Sequence, residues 1–187
     1  PTSGKMATTS DQQLVEIRDI ATGGVVNSLQ LAEPAITASF STDGKVLAVC
    51  MADKIEVQLW NVETGQYFQR IVGFGTAAPV YTAFFSPDGQ YLIWLARGTV
   101  MMENLSNWYY PNLEHEDFVT AAALSPDNSI LATVAGGTYK GNFQPLLKLW
   151  DPLTGAEYAV LPAGSNNVNS LSFSPDGKLL ASNDGAL

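Results

Sequence analysis

The stretch SFSPDGKLLAS at Ser172–Ser182 decides the fold, because three close relatives of it stand earlier in the same chain. They read SFSTDGKVLAV from Ser39, FFSPDGQYLIW from Phe84 and ALSPDNSILAT from Ala123. Each copy joins two apolar runs through a turn of the Ser-Pro-Asp-Gly type, which is typical of two antiparallel strands connected by a tight corner. The sequence therefore predicts four β-hairpins of one kind.

The spacing of these copies sets the length of the repeating unit. The matching serines are separated by 45, 39 and 49 residues: Ser41, Ser86, Ser125 and Ser174. This period is longer than one hairpin requires. A second recurring element, in which a strand ends in a turn, fills the remainder: IRDIATG from Ile17, LWNVETG from Leu59, MMENLSN from Met101 and LWDPLTG from Leu149. One more short segment follows each of these elements, so the predicted unit has four strands.

Four-stranded antiparallel units of this period, with Trp-Asp near the end of the third strand, resemble the WD-repeat β-propeller family. The resemblance covers essentially the whole chain and rests on Trp60-Asn61, Trp150-Asp151 and the four turns together. It implies an all-β fold, a β-propeller of four-stranded antiparallel blades that cover one another's faces. The predicted strands carry apolar residues on both faces, which agrees with such stacking.

Counting strands predicts three complete blades and two partial ones. The complete blades fall at about 33–74, 75–116 and 117–163, between partial blades at 1–32 and 164–187. Three explanations stay open: the chain is a piece of a longer propeller, two chains join into one ring, or a small ring closes on itself. Unpaired strands favour association, so we expect pairing with the missing remainder of the propeller or a homodimer that joins Ser172–Leu187 to Leu14–Gln30.

The buried hydrogen-bond network that the resemblance implies is degenerate in this sequence. The family's Gly-His before the first strand is replaced in two units, and only His115 stands at a matching place. In the unit that contains Trp60, Val49 occupies the position of the hydroxyl residue on the second strand. We therefore expect no unit to carry the complete His–Ser–Asp–Trp network, and we expect apolar packing to supply more of the stability.

The composition excludes several classes of function. Nine Lys and Arg stand against eighteen Asp and Glu, and the formal net charge of −9 opposes nucleic-acid binding. No apolar run approaches the roughly 20 residues of a membrane helix, and the first residues lack the layout of a signal peptide. A single cysteine, Cys50, excludes an intramolecular disulfide framework. We expect a cytoplasmic protein that binds neither nucleic acid nor membrane.

Few residues suggest catalysis. His115 is the sole histidine, and the sequence contains neither a nucleophile elbow nor a phosphate-binding loop. The carboxylates of Glu114, Glu116 and Asp117 could hold a hard cation, although a solvated connector explains them equally well. The Asp residues of the four turns are expected to cap their own turns. The sequence thus predicts no enzyme activity, no cofactor and no metal site.

An insertion marks the unit that contains Ser125. The distance from the turn serine to the end of the third strand is 25 residues here, against 19 and 16 in the two preceding units. The extra residues fall in AGGTYKGNFQP, which reads as a loop loosened by glycine and projecting from the rim that the family commonly uses for partners. We predict a protein- or peptide-binding site there, formed by Glu116, Asp117, Tyr139, Lys140, Asn142 and Phe143.

These features predict a non-catalytic protein–protein interaction scaffold or sensor module, as part of a larger propeller or multidomain protein. Two alternatives stay open. The chain could be a structural unit that self-assembles by completing a ring through dimerisation, or it could form a small-molecule or enzymatic site in the axial channel. The predicted innermost strands supply hardly any ionisable groups for the channel site.

Overall fold

A computed structural model describes residues 4–10, 13–52, 54–72, 79–96, 99–105, 112–115, 117–139, 142–164 and 168–183. The chain divides into two compact units, Pro1–Ala96 and Arg97–Leu187. All regular secondary structure in the described residues is β-strand, so no helix in this part of the chain could span a bilayer. The predicted all-β class is confirmed.

The first unit contains two antiparallel sheets and a hairpin. The first sheet has the order β1-β2-β3, with β1 at Lys5–Ser10, β2 at Leu14–Asp19 and β3 at Val25–Gln30. The second sheet has the order β4-β5-β6-β7, formed by Ala35–Phe40, Val46–Met51, Glu56–Asn61 and Tyr67–Val72. The hairpin pairs β8, Val80–Phe85, with β9, Tyr91–Ala96.

The second unit contains one large sheet and two hairpins. The first hairpin pairs β10, Thr99–Asn104, with β11, Asn112–Glu114. The large sheet has the order β12-β13-β14-β15, formed by Val119–Leu124, Leu131–Tyr139, Asn142–Trp150 and Glu157–Pro162. The last hairpin pairs β16, Ser170–Phe173, with β17, Leu180–Asn183.

Along the chain, this succession gives three strands, then three groups of four, then two strands. The middle group of four, β8–β11, is divided between the two units. Such antiparallel groups are those expected of WD-type blades, so the predicted fold class is confirmed. The residue boundaries proposed for the individual blades stay a prediction.

The four Ser-Pro-Asp-Gly turns share one hydrogen-bond pattern, seen first at Ser41. The Ser41 hydroxyl donates to Asp43 Oδ1 at 2.7 Å and accepts from Val46 N at 2.9 Å, while Asp43 Oδ1 also accepts from Lys45 N at 3.0 Å. Ser86, Ser125 and Ser174 repeat this arrangement. The prediction that each Asp caps its own turn is therefore confirmed, and the repeat originates in local side-chain chemistry.

Burial in the first unit is concentrated between the two sheets. Val15, Ile17 and Leu29 of the first sheet pack with Leu47, Val49 and Met51 of the second, and all six are at most 1% exposed. The side chain of Asn27 adds a polar link, since its Nδ2 donates to the carbonyl oxygen of Glu63 at 3.1 Å. Each sheet thus covers an apolar face of its neighbour, which explains why these strands are apolar on both faces.

Three of the outermost strands, β3, β7 and β15, share a further feature, a bulge at one residue. In β3, Asn27 lies opposite Ile17 and Val25 lies opposite Arg18, so Val26 has no opposite residue. Phe68 of β7 and Tyr158 of β15 occupy the corresponding positions. A bulge re-aims the side chain that it carries, and all three of these bulky side chains are exposed.

Candidate functional site

The insertion in the second unit forms a lengthened hairpin. Strands β13 and β14 have nine residues each and pair without a register shift from Leu131 opposite Trp150 to Tyr139 opposite Asn142. The expectation of a loop loosened by glycine is therefore corrected. Neither Gly136 nor Gly137 has a positive φ, and the strand formers Thr, Tyr and Phe of the insertion favour an extended ribbon.

The hairpin extends beyond both of its neighbouring strands. On one side, β12 pairs with β13 only as far as Ala135, and on the other side β15 pairs with β14 only as far as Leu146. Four residue pairs lie further out, from Gly136 opposite Pro145 to Tyr139 opposite Asn142. The innermost pair is still held on one side, because Ala163 N donates to Pro145 O at 2.9 Å. The insertion thus forms a two-stranded arm, which we define by its described residues, 136–139 and 142–145.

The predicted site residues fall partly on this arm. Tyr139, Asn142 and Phe143 lie in the strands of its outer end, although only their backbone belongs to the described structure. Glu116 and Lys140 lie outside the described residues. Asp117 precedes β12 by two residues and stands at the same end of the large sheet as the arm, because Val119 lies opposite Ala135. Its Oδ1 accepts a hydrogen bond from Phe118 N at 2.7 Å.

A buried hydrogen-bond chain supports the base of the arm. Trp150 Nε1 donates to Thr133 Oγ1 at 2.8 Å, and the same hydroxyl lies 3.2 Å from His115 Nε2. The His115 and Trp150 rings also meet edge to face, with centroids 5.3 Å apart. Thr133 accepts from the indole and so can donate to His115 Nε2. Three members of the His–Ser–Asp–Trp network thus come together, with Thr133 as the hydroxyl residue.

The environment keeps His115 neutral. Burial, and secondarily the positive charge of Lys148, lowers the pKa of His115 to about 4. Its Nδ1 is buried and has no hydrogen-bond partner in the described part of the chain. The expectation that the four-membered network is incomplete agrees with this geometry, because no carboxylate among the described residues reaches that nitrogen.

Lys148 and Glu157, which the sequence analysis did not single out, complete the base. Lys148 Nζ lies 5.2 Å from the centroid of the Trp150 ring and 3.2 Å from Glu157 Oε2. The cation–π contact lies within β14. The ion pair with Glu157 links β14 to β15 on the same side of the sheet. The sequence did contain a signal that Thr133 is the hydroxyl residue of its unit. Thr133 follows its turn serine by eight residues, the same spacing as that of Val49 in the earlier unit.

Other places in the described structure offer little for chemistry. No three His, Cys, Asp or Glu side chains within the described ranges lie close enough to hold a metal ion. A cavity of about 460 Å³ in the second unit is lined by Val134, Leu147, Pro162, Ala163, Gly164, Leu171, Leu180 and Ser182. None of these lining residues is ionisable, so the cavity wall provides no acid–base pair.

Comparison with known proteins supports the strand pattern. The family model "WD domain, G-beta repeat" matches residues 155–187. The chain is 33% identical over 151 residues to WD repeat-containing protein SL1-17 of Schistosoma mansoni, and the match covers 79% of this chain and 46% of that protein.

Two mammalian proteins are also similar. Telomerase protein component 1 is 29% identical over 156 residues in Mus musculus and 28% identical in Rattus norvegicus. Each match covers 82% of this chain but 6% of the relative, so the chain spans a small part of these proteins and less than half of the Schistosoma protein. The repeated turns, the antiparallel sheets and these matches all agree, and together they support a WD-repeat family for this chain.

Proposed function

We propose that the chain is a non-catalytic protein–protein interaction scaffold or sensor module that binds a protein or peptide partner through the arm. The observation that carries this proposal is the reach of the β13–β14 hairpin beyond both neighbouring strands. Binding residues are commonly held on projecting segments that a rigid scaffold positions.

The base of the arm suits this role. Thr133 and Trp150 are buried and hydrogen-bonded, and Lys148 is fixed by Glu157. A partner that contacts the arm would therefore meet a surface whose support loses little conformational entropy on binding. The side chains proposed for contact are Glu116, Asp117, Tyr139, Lys140, Asn142 and Phe143. Tyrosine and phenylalanine supply large contact areas, which favours a protein or peptide over a small ion.

The names of the relatives are compatible with a role for this chain as one component of an assembly. The two mammalian relatives are named as protein components of telomerase, and both are far longer than this chain. We extend to this chain only the role of one part within a larger polypeptide that holds other proteins. The acidic balance of the chain supports a protein rather than a nucleic acid as the direct partner.

The test compares binding with and without the side chains of the arm. Crosslinking followed by mass spectrometry identifies the partner of the natural protein, and purified components then give its affinity. Tyr139→Ala together with Phe143→Ala is expected to weaken binding at least about tenfold, as loss of central aromatic contacts does. Phe68→Ala, which removes an exposed aromatic ring from the first unit, is the matched control.

Equal binding by the double variant and the wild type would refute the proposal. The unfolding midpoint of each variant must be measured in parallel. A loss of binding that accompanies a loss of folding would assign the effect to stability and would likewise count against a contact role.

A further inference from the structure

An aspartate precedes a glycine in three of the four repeated turns, at Asp43-Gly44, Asp88-Gly89 and Asp176-Gly177. Glycine has no side chain to shield its backbone nitrogen. That nitrogen can attack the side-chain carboxyl of the preceding aspartate: a C–N bond forms, the carboxyl OH and the amide hydrogen leave as water, and a succinimide ring closes. Hydrolysis returns the water and leaves either aspartate or isoaspartate, whose main chain runs through the former side chain. Each of these turns is therefore a candidate modification site.

The closed turn opposes this reaction in two ways. Gly177 N donates to Ser174 O at 2.8 Å, so the proton that the attacking nitrogen must lose is held in a hydrogen bond. Asp176 Oδ1 accepts from the Ser174 hydroxyl at 2.6 Å and from Lys178 N at 3.2 Å. These bonds lower the pKa of Asp176 and favour the carboxylate, which is a poor electrophile. The turn must therefore open before the succinimide forms.

Asp43 and Asp176 make almost identical local contacts. Both are followed by glycine and then lysine, and the φ angles of the two glycines are 70° and 71°. In the first turn, Asp43 Oδ1 accepts from the Ser41 hydroxyl at 2.7 Å, and Gly44 N donates to Ser41 O at 2.9 Å. The side chains of Asp43 and Asp176 are 56% and 59% exposed. A difference in reactivity between the two sites would therefore report the free energy of opening each turn.

The strands that hold the two turns differ. Asp43 lies between β4 and β5 of a four-stranded sheet, and five of the six residues of β5 are buried. Asp176 lies between β16 and β17, which pair only with each other among the described residues, and neither strand has a buried residue. Ser41 is 8% exposed, whereas the bond from Ser174 to Asp176 lies at the exposed surface. A two-stranded hairpin with so little burial opens at a lower cost in free energy.

We propose that Asp176-Gly177 is a site of spontaneous isoaspartate formation, whereas the turn at Asp43-Gly44 is protected by its sheet. The product is the substrate of protein isoaspartyl methyltransferases, which methylate the freed α-carboxyl group. The modification inserts one backbone carbon into the turn, so the bond from Gly177 N to Ser174 O must close a longer loop. We expect the β16–β17 hairpin to lose its register as a result.

Peptide mapping of the natural protein, after storage at neutral pH and physiological temperature, tests the proposal. Trypsin cleaves after Lys45 and after Lys178 and so separates the two sites. An isoaspartyl methyltransferase with a labelled methyl donor then marks isoaspartate in each peptide. We expect the peptide that ends at Lys178 to gain label at least about tenfold faster than the one that ends at Lys45, which corresponds to an opening free energy about 1.4 kcal/mol lower.

Urea and two variants supply the controls. In urea both peptides are expected to gain label at the same rate, because the sequence Asp-Gly-Lys is common to both sites. Asp176→Glu is expected to abolish the label at Lys178, since attack on the longer side chain must close a larger ring. Asp43→Glu is the matched control and is expected to leave that label unchanged. The peptide mass must stay constant, which separates isomerisation from deamidation of asparagine.

Equal labelling of the two peptides in the folded protein would overturn the proposal. So would label that appears only in urea, or label at constant peptide mass that survives in Asp176→Glu.

Discussion

Trp150 and Thr133 are joined by a buried hydrogen bond of 2.8 Å from Nε1 to Oγ1, and the second sheet lacks its equivalent. There Trp60 holds the place of Trp150 and Val49 holds the place of Thr133. As a result, Trp60 Nε1 is buried without a hydrogen-bond partner in the described structure. The indole at this position therefore donates a hydrogen bond in the sheet that contains Trp150, whereas in the second sheet it has no partner among the described residues.

The first prediction concerns Thr133→Val, which keeps the shape of the side chain and removes the hydroxyl. The indole of Trp150 then loses its acceptor, and we expect a loss of about 1–3 kcal/mol in the free energy of unfolding. Urea unfolding measures this loss. Thr133→Ser keeps the hydroxyl and is the control, with an expected loss of about 1 kcal/mol for the missing methyl group. Equal losses for the two variants would contradict a stabilising hydrogen bond.

The second prediction reverses the change in the other sheet. Val49→Thr offers an acceptor to Trp60 Nε1. The free energy of the new hydrogen bond offsets the cost of burying a hydroxyl. We expect the change in stability to stay within about 1 kcal/mol of zero. In a Trp60→Phe background, the same change is expected to cost at least about 1 kcal/mol more, because the hydroxyl has no donor there. Unfolding of all four chains gives the coupling energy, and a coupling of zero would show that the hydrogen bond does not form.

The third prediction is a pH dependence caused by His115. Its pKa is lowered from 6.5 to about 4 in the folded state, first by burial. The unfolded chain therefore binds the proton more tightly, and the contribution of His115 to stability is complete above about pH 6.5 and is lost as the pH falls towards 4. The full loss is on the order of 3 kcal/mol.

Comparison with His115→Gln isolates this effect. The free energy of unfolding of the wild type, minus that of the variant, is expected to fall between pH 7.5 and pH 4.5. All other titrating groups are present in both proteins, so their contributions cancel in this difference. A difference that does not change with pH would contradict a buried neutral histidine.

The fourth prediction concerns Glu103, which is 6% exposed on β10. Burial raises the pKa of Glu103 from 4.5 to about 7. The folded state then holds the proton more tightly than the unfolded state, so the stability contributed by the protonated carboxyl is present below pH 4.5 and is lost as the pH rises through 7. Glu103→Gln is expected to gain stability relative to the wild type as the pH rises from 5 to 8. If the difference in the free energy of unfolding between Glu103→Gln and the wild type does not change with pH, the Glu103 carboxyl is solvated.

Much of the fold could be predicted because its signals are local. The hydrogen bonds of the first turn join Ser41 to Asp43 and to Val46, and the other three turns repeat this short range. Because the partners are at most five residues apart, the sequence alone predicts the turn. The position of Thr133 as the hydroxyl partner of Trp150 was missed, although its spacing from Ser125 matches that of Val49 from Ser41. Apolar and hydroxyl β-branched residues fit a strand equally well, so the strand pattern does not separate them.

The candidate site was predicted only in outline. The length of the insertion marked the right part of the second unit, but Gly136 and Gly137 were read as loop residues. Their place in a nine-residue strand depends on pairing with Pro145 and Gln144 across the hairpin. Glycine is compatible with both conformations, so the choice depends on cross-strand contacts.

The sequence by itself determined the all-β class, the four-stranded repeat and the four capped turns, because these depend on interactions between residues a few positions apart. Only the tertiary structure decided that Thr133 meets Trp150 and His115, and that the insertion forms a paired arm. Those features join residues that lie far apart along the chain, such as Thr133 and Trp150 at a separation of 17. Their hydrogen bonds and burial follow from sheet pairing and stacking, which no local pattern specifies.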